Sequence, residues 1–248
     1  MTLTTLRASL INIVLPNRCP ACDRFLTAGE RLCPDCEAAV LLPHDDYCHT
    51  CGKMQCLCKR RTFAYDQALV VSRYQSGPED RVFRAIWALK NSRNRNFAYF
   101  AAIIMADRLK HSVDYGRFDL VTAVPMHRTK QRMRGFNQAA LIGRLLAQEL
   151  EIPYRDDLLF KERSRIAQHN LNAAERARNV STFGVHPVDL AGKHILLCDD
   201  VLTTGATLDR CADLLKSHGA ANVTVAAAAT TNQPRPDEAP DIPQGGTP

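Results

Sequence analysis

The hydrophobic positions of this chain change period along its length, and each change marks an element. "QALVVSRY" (67–74) is an apolar run of strand length. Gly77 and Pro78 then turn the chain into a segment whose apolar residues Val82, Phe83, Ile86 and Leu89 share one helical face. A second helix follows, with Phe97, Ala101, Ile104 and Leu109 as its stripe. "FDLVTAVP" (118–125) predicts the next strand. "GFNQAALIGRLLAQEL" (135–150) returns to the helical period through Phe136, Ala139, Ala140, Gly143, Leu146 and Leu150. "HILLCDD" (194–200) is a strand that ends in two acids and feeds a helix bearing Leu208, Cys211, Ala212 and Leu215. Gly219 stands where a left-handed C-terminal cap belongs, and "VTVAAAA" (223–229) is the last strand. Strands that alternate with helices predict an α/β fold with a parallel sheet. In such sheets ligands bind beyond the carboxyl ends of the strands.

The flanks break this pattern. Residues 1–60 are cysteine-rich and open on an amphipathic stretch, with Leu3, Leu6, Leu10 and Ile13 at helical spacing. Arg7 interrupts that stretch and no small-residue cleavage site follows, so it reads as a helix packed on its own protein rather than a secretory leader. A polar stretch spans roughly 155–182, and residues 232–248 are rich in Pro and Gly without period. The expected organisation is a small module (1–60), an α/β domain (61–231) and a disordered tail (232–248). No apolar run reaches the roughly 18 residues of a membrane span. At 248 residues the chain is long enough to bury a real core, and its net charge of +6 permits a phosphate-rich partner without demanding one.

The cysteines change the picture of the first 60 residues. They pair as Cys19/Cys22, Cys33/Cys36, Cys48/Cys51 and Cys56/Cys58. A Cys-x-x-Cys knuckle turns two thiolates onto one metal, and two knuckles complete a tetrahedral zinc site. Cys19, Cys22, Cys33 and Cys36 have that spacing; the tighter Cys56/Cys58 pair leaves the number of zinc ions at one or two. A structural metal would substitute for the core that so short a segment cannot build. Paired cysteines without an export signal point to a reducing compartment, the cytoplasm. Cys198 and Cys211 fall on core-facing positions and read as packing.

Asp199 and Asp200 sit at the carboxyl end of their strand, and "TTGAT" (203–207) follows at once. Gly205 lets the backbone bend, Thr203, Thr204 and Thr207 supply hydroxyls, and the next helix aims its free N–H groups at the turn. Such a turn takes a phosphate, whereas carboxylates beside it repel anions but accept hydrogen bonds from sugar hydroxyls. The combination suits a phosphorylated sugar; two aspartates are also able to hold Mg²⁺ directly. A Walker-type loop is disfavoured, because Ala206 rather than lysine follows Gly205. Upstream, "VPMHRTKQRMRGFNQ" (124–138) gathers His127, Arg128, Lys130, Arg132 and Arg134 in a loop leaving a neighbouring strand. Cations there suit an anionic group of the ligand.

The string strand–DDVLTTGAT–helix resembles the ribose-5-phosphate motif of type I phosphoribosyltransferases. The resemblance implies that Asp199 and Asp200 bind the ribose hydroxyls of phosphoribosyl pyrophosphate (PRPP), and that Thr203, Thr204, Gly205, Ala206 and Thr207 bind its 5-phosphate. In the 6-oxopurine salvage members an acid stands where Thr203 stands here, which argues against a hypoxanthine- or guanine-type acceptor. Together with "VPMHRTKQRMRGFNQA", Lys90 in "WALKNS", "QHNL", "RARNV" and the preceding cysteine pairs, the order of motifs is similar to the ComF family. That resemblance implies a type I phosphoribosyltransferase-like domain behind a zinc-ribbon-like module. It implies a site with Asp199, Asp200 and Arg134 at the chemistry, and Lys90, Lys130 and Arg134 toward pyrophosphate. Gln168, Asn170, Arg176 and Asn179 would lie in the polar stretch over it. Mg²⁺ would accompany PRPP, the acceptor is unnamed, and the function would be tied to natural competence and DNA uptake. A non-catalytic alternative is a PRPP sensor that binds single-stranded DNA through its zinc segment and Lys53, Lys59, Arg60 and Arg61, with strong salt dependence.

Overall fold

The computed structural model describes residues 17–59, 61–92, 94–112, 115–162 and 182–231. The amphipathic N-terminal stretch, the segment carrying Gln168, Asn170, Arg176 and Asn179, Arg60 and the C-terminal tail lie outside the described residues. The elements are α1 (Pro34–Val40), β1 (Gln67–Tyr74), α2 (Arg81–Asn91), α3 (Asn96–His111), β2 (Leu120–Ala123), α4 (Arg128–Arg134), α5 (Gln138–Leu150), β3 (Leu159–Glu162), β4 (Thr182–Val185), β5 (His194–Leu202), α6 (Ala206–Ser217) and β6 (Asn222–Thr231).

Strands β1, β6, β5 and β2 form a sheet in that order, and every pairing is parallel. The central strands are buried on both faces, as parallel strands between helices must be. Ala226 to Ala229 are wholly inaccessible in β6, where small side chains let the layers approach. Helix α5 packs on β2 and β5, and α6 on β5 and β6. Gly143 explains how close α5 comes: a Cβ there would lie 3.1 Å from the Tyr154 ring and 3.4 Å from Cys198 Cβ. Cys198 is therefore core, as alternation along the strand predicts, and Cys211 is buried on the inner face of α6. Helix α6 ends in a Schellman turn: Ala220 N–H bonds Leu215 C=O, Gly219 N–H bonds Lys216 C=O, and Gly219 has φ +101°.

Three expectations change. The loop after β2 is not open coil, because Arg128–Arg134 forms helix α4, with His127 accepting from Thr129 N–H at its start. A charged segment has no apolar stripe to announce a helix, so periodicity misses it. The buried face of α5 overlaps the expected stripe but is shifted: Ala139, Gly143 and Leu146 are buried as expected and Gln138, Ile142 and Ala147 join them, while Ala140, Leu150 and Phe136, which precedes the helix, are half-buried. Within the polar stretch, β3 and β4 pair as a separate antiparallel ribbon.

The cysteine module lies along the free edge of β1. Leu42 N–H bonds Val71 C=O, Ala68 N–H bonds His49 C=O, and Arg108 from α3 reaches both Val70 C=O and Leu42 C=O. This covers an edge that would otherwise expose unpaired backbone groups. The eight thiols gather as two quartets, Cys19–Cys22–Cys33–Cys36 and Cys48–Cys51–Cys56–Cys58, with ligand atoms all within 4.8 Å of one another. Tetrahedral zinc with Zn–S of about 2.3 Å sets sulfurs about 3.8 Å apart. Sγ separations are 3.6 Å for Cys22/Cys33, 3.7 Å for Cys48/Cys58 and 3.4 Å for Cys48/Cys56, far too long for disulfides. The Cys-x-Cys pair thus closes its quartet as well as the longer pairs do. Burial works to raise the Cys48 thiol, but backbone N–H groups of Cys51 and Thr50 together with hydrogen bonds from Cys56 and Cys58 bring it down to about 6, while burial raises Cys51 and Cys58 in the same quartet. Both quartets fit zinc by donor type and spacing.

Two outcomes follow from this packing. Thiol modification should release one zinc ion per quartet to a chromogenic indicator, two per chain, and Cys36→Ser should leave one. Gly143→Val should lower stability by about 1–3 kcal/mol through overpacking against Tyr154 and Cys198, read as a lower urea midpoint at unchanged slope.

Candidate functional site

The carboxyl end of β5 carries the acidic pair into a cleft of about 200 Å³. Lys90, Lys130, Arg134, Asp199 and Asp200 all line it, so five positions spread over 111 residues of sequence converge on one opening. Lys90 comes from the last turn of α2 and pairs with Asp200 at 2.7 Å. Asp199 Oδ1 accepts from Asp200 N–H at 2.8 Å. Burial raises the Asp199 carboxyl well above the usual carboxylate range, and the charge of Asp200 beside it adds to the effect.

The segment "RGFNQ" builds the opposite wall. Arg134 ends α4, and Gly135, at φ +83°, reverses the chain in a left-handed conformation open to glycine. Asn137 then does two jobs: Oδ1 accepts from Ala139 N–H at 3.1 Å to cap α5, and Nδ2 donates to Val124 C=O at 2.9 Å. This clamp fixes α5 against the end of β2. Gln138 is fully buried at the cleft; its Oε1 accepts from Arg134 at 3.4 Å, and its Nε2 has no partner among the described residues. A buried amide donor aimed at a polar cleft costs free energy until something accepts from it. Burial lowers the Lys130 ammonium, and the charges of Arg134 and Lys90 lower it further. Crowded cations of this kind gain by taking an anion.

Beyond the cleft, β5 runs on through Leu202 into residues 203–207. Thr203, Ala206 and Thr207 are exposed, Thr204 is half-buried and Gly205 is buried. Gly205 stands at the N-cap of α6 with φ +78°, and a Cβ there would meet Tyr65 Oη at 3.2 Å. Thr204 Oγ1 accepts from Ala206 N–H at 3.3 Å. Dipole and free N–H groups of α6 therefore open toward solvent at this turn.

Sequence reasoning missed Gln138 and Lys161, which also lines the cleft, because a lone amide and a strand lysine carry no spacing signal. It also misplaced two cations. Lys53 is not a surface residue: it is 5% exposed, and its ammonium is bonded beneath the 203–207 turn. Arg61 pairs with Asp209 at 2.6 Å and stacks on Phe63. Lys53 is thus turned away from any DNA backbone, while Arg61 stays half-buried in its ion pair. No helix among the described residues is long and apolar enough to cross a membrane.

Against known proteins, residues 137–242 match the phosphoribosyl transferase domain family, and residues 10–67 match the double zinc ribbon domain. The DNA utilization protein YhgH of Escherichia coli K12 is 27% identical over 210 residues, covering 84% of this chain and 87% of that one. A purine phosphoribosyltransferase structure from Pyrococcus horikoshii superposes with a TM-score of 0.37 at 21% identity, covering 54% of this chain and 73% of that one. The competence protein ComFC of Streptococcus pneumoniae is 30% identical over 209 residues, covering 83% of this chain and 84% of that one. Paired cysteine quartets, a parallel sheet and this shared sequence lead to one conclusion: the chain belongs to the ComF family, with a double zinc ribbon ahead of a phosphoribosyltransferase-type domain.

Proposed function

We propose that this protein binds PRPP with Mg²⁺ and transfers its phosphoribosyl group to a nucleophile, releasing pyrophosphate. The observation that carries the reading is the convergence of Lys90, Lys130 and Arg134 on Asp199 and Asp200, with a small hydroxyl-bearing turn and a helix N-terminus directly downstream. Residues 203–207 take the 5-phosphate through N–H groups and threonine hydroxyls. Asp199 and Asp200 accept from the ribose hydroxyls, and Lys90 exchanges Asp200 for a pyrophosphate oxygen as the donor enters. The bond from C1 to the pyrophosphate oxygen breaks with its electron pair leaving on pyrophosphate. The acceptor's lone pair forms the new bond at C1, and the proton the acceptor gives up passes to the departing pyrophosphate or to water. Lys130 and Arg134 stabilise the charge gathering on the departing oxygens. The oxygen-rich donor set suits a hard cation, which would neutralise pyrophosphate further.

The family resemblance would put Gln168, Asn170, Arg176 and Asn179, which lie outside the described residues, in the polar stretch over this site, and the paired cysteines support a cytoplasmic location. Relatives named for competence and DNA utilisation support a role connected with DNA uptake. The Thr203 position argues against an oxopurine acceptor.

The test is pyrophosphate release from PRPP in the presence of a metabolite extract. The zinc-loaded protein should release it, and Asp199→Asn with Asp200→Asn should abolish release; release that persists in the double variant removes the assigned roles. Acidification should weaken PRPP binding as Asp199 takes up its proton. That pH dependence should flatten in Asp199→Asn, because the raised carboxyl is the group being titrated.

A further inference from the structure

The zinc module reaches the proposed phosphate turn through one side chain. Lys53 lies between Cys51 and Cys56 of the second quartet, and its ammonium is buried against the far ends of two central strands. It donates to Leu202 C=O at 2.8 Å, to Thr203 C=O, and to Thr231 C=O at 3.0 Å, with Thr230 Oγ1 at 3.3 Å and Thr231 Oγ1 at 3.4 Å. An ammonium has three donors, and here they go to three carbonyls at the mouth of the turn.

These bonds constrain the turn's other side. In a trans peptide the C=O of one residue and the N–H of the next point in opposite directions. With the Leu202 and Thr203 carbonyls held toward Lys53, the N–H groups of Thr203 and Thr204 must face away from it. Those are the donors an anion in the turn would use. A buried positive charge behind the turn also favours negative charge in front of it.

Lys53 in turn is held by its own knuckle. Cys48 N–H bonds Lys53 C=O at 2.9 Å, and Gly52 N–H bonds Cys48 C=O at 2.7 Å. Gly52, at φ +69°, brings the knuckle against β5, since a Cβ there would lie 3.2 Å from the Leu202 side chain. Tyr65 Oη donates to Cys51 C=O at 3.3 Å and sits beside Gly205, a second link between knuckle and turn.

We infer that Lys53 is a positioning residue for the 5-phosphate turn, and that metal in the Cys48–Cys51–Cys56–Cys58 quartet keeps the turn in its binding shape by fixing Lys53. The inference rests on the phosphate role proposed for residues 203–207. It makes the second zinc ribbon part of the sugar-phosphate site rather than a separate appendage.

Hydrogen exchange of the 203–207 amides, zinc content, and titration with ribose 5-phosphate and with pyrophosphate test it on the full chain. Lys53→Met should keep zinc in both quartets and bind pyrophosphate as the wild type does. Its turn amides should exchange faster, and its ribose 5-phosphate affinity should fall about tenfold or more, because three carbonyls lose their donor. Lys59→Met, an exposed change in the same module, should alter none of these. Unchanged exchange and unchanged ribose 5-phosphate affinity in Lys53→Met would overturn the inference. If Lys53→Met does not fold, Cys56→Ser decides: Cys56 is the exposed member of the quartet, and its loss should release one zinc and speed exchange of the turn. Zinc loss with a quiet turn contradicts the coupling. A wild type that binds neither ribose 5-phosphate nor PRPP defeats the proposed function instead, while turn exchange without ligand still judges Lys53.

Discussion

Strand β5 is hydrogen-bonded on both sides, by β6 and by β2, and the rest of the molecule is arranged around that constraint. Double pairing fixes the register of Ile195 to Cys198, and β6 alone carries it on to Leu202. This register sends Cys198 under α5 and delivers Asp199 and Asp200, both half-buried, to the carboxyl edge where they line the cleft. A one-residue slip would exchange core and cleft faces, so the apolar run "ILLC" locks the acids in place. The same register puts the carbonyls of Leu202 and Thr231 side by side, and Lys53 satisfies them from the neighbouring module.

Charge in the cleft is balanced in a way that a ligand would alter. Lys90 and Asp200 neutralise each other, while Asp199 is driven toward its protonated form and Lys130 toward its neutral one, each mainly by burial. Both shifts reflect groups whose charge is only partly compensated by their neighbours. A donor with hydroxyls, anionic oxygens and an accompanying cation would satisfy both at once, and would meet Gln138 Nε2, which has no partner among the described residues.

Much of this was legible in the chain because it is local. Strand β1 falls on the predicted residues, the Gly219 cap is a Schellman turn, and the first two cysteine pairs gather as their spacing predicts, while the second quartet closes despite its tighter Cys-x-Cys pair. The acid pair and the TTGAT turn were legible because strand end, turn and helix start are contiguous. What sequence hid depends on distance or on charge. Helix α4 carries basic residues where an amphipathic pattern would need apolar ones, and is held by its caps and the Gly135 reversal. Lys53 looks like any lysine in a basic cluster, yet its partners lie 149 to 178 residues away. Nothing in a linear pattern marks which of several cations is swallowed by the fold.

The central claim is that the cleft at the end of β5, with the turn behind it, is a PRPP site. Calorimetric titration of the zinc-loaded protein with PRPP, with and without Mg²⁺, tests it most directly. The account predicts saturable binding at one site per chain, tighter with Mg²⁺, and a matching rise in melting temperature. No heat and no thermal stabilisation at any PRPP concentration up to the millimolar range would contradict it.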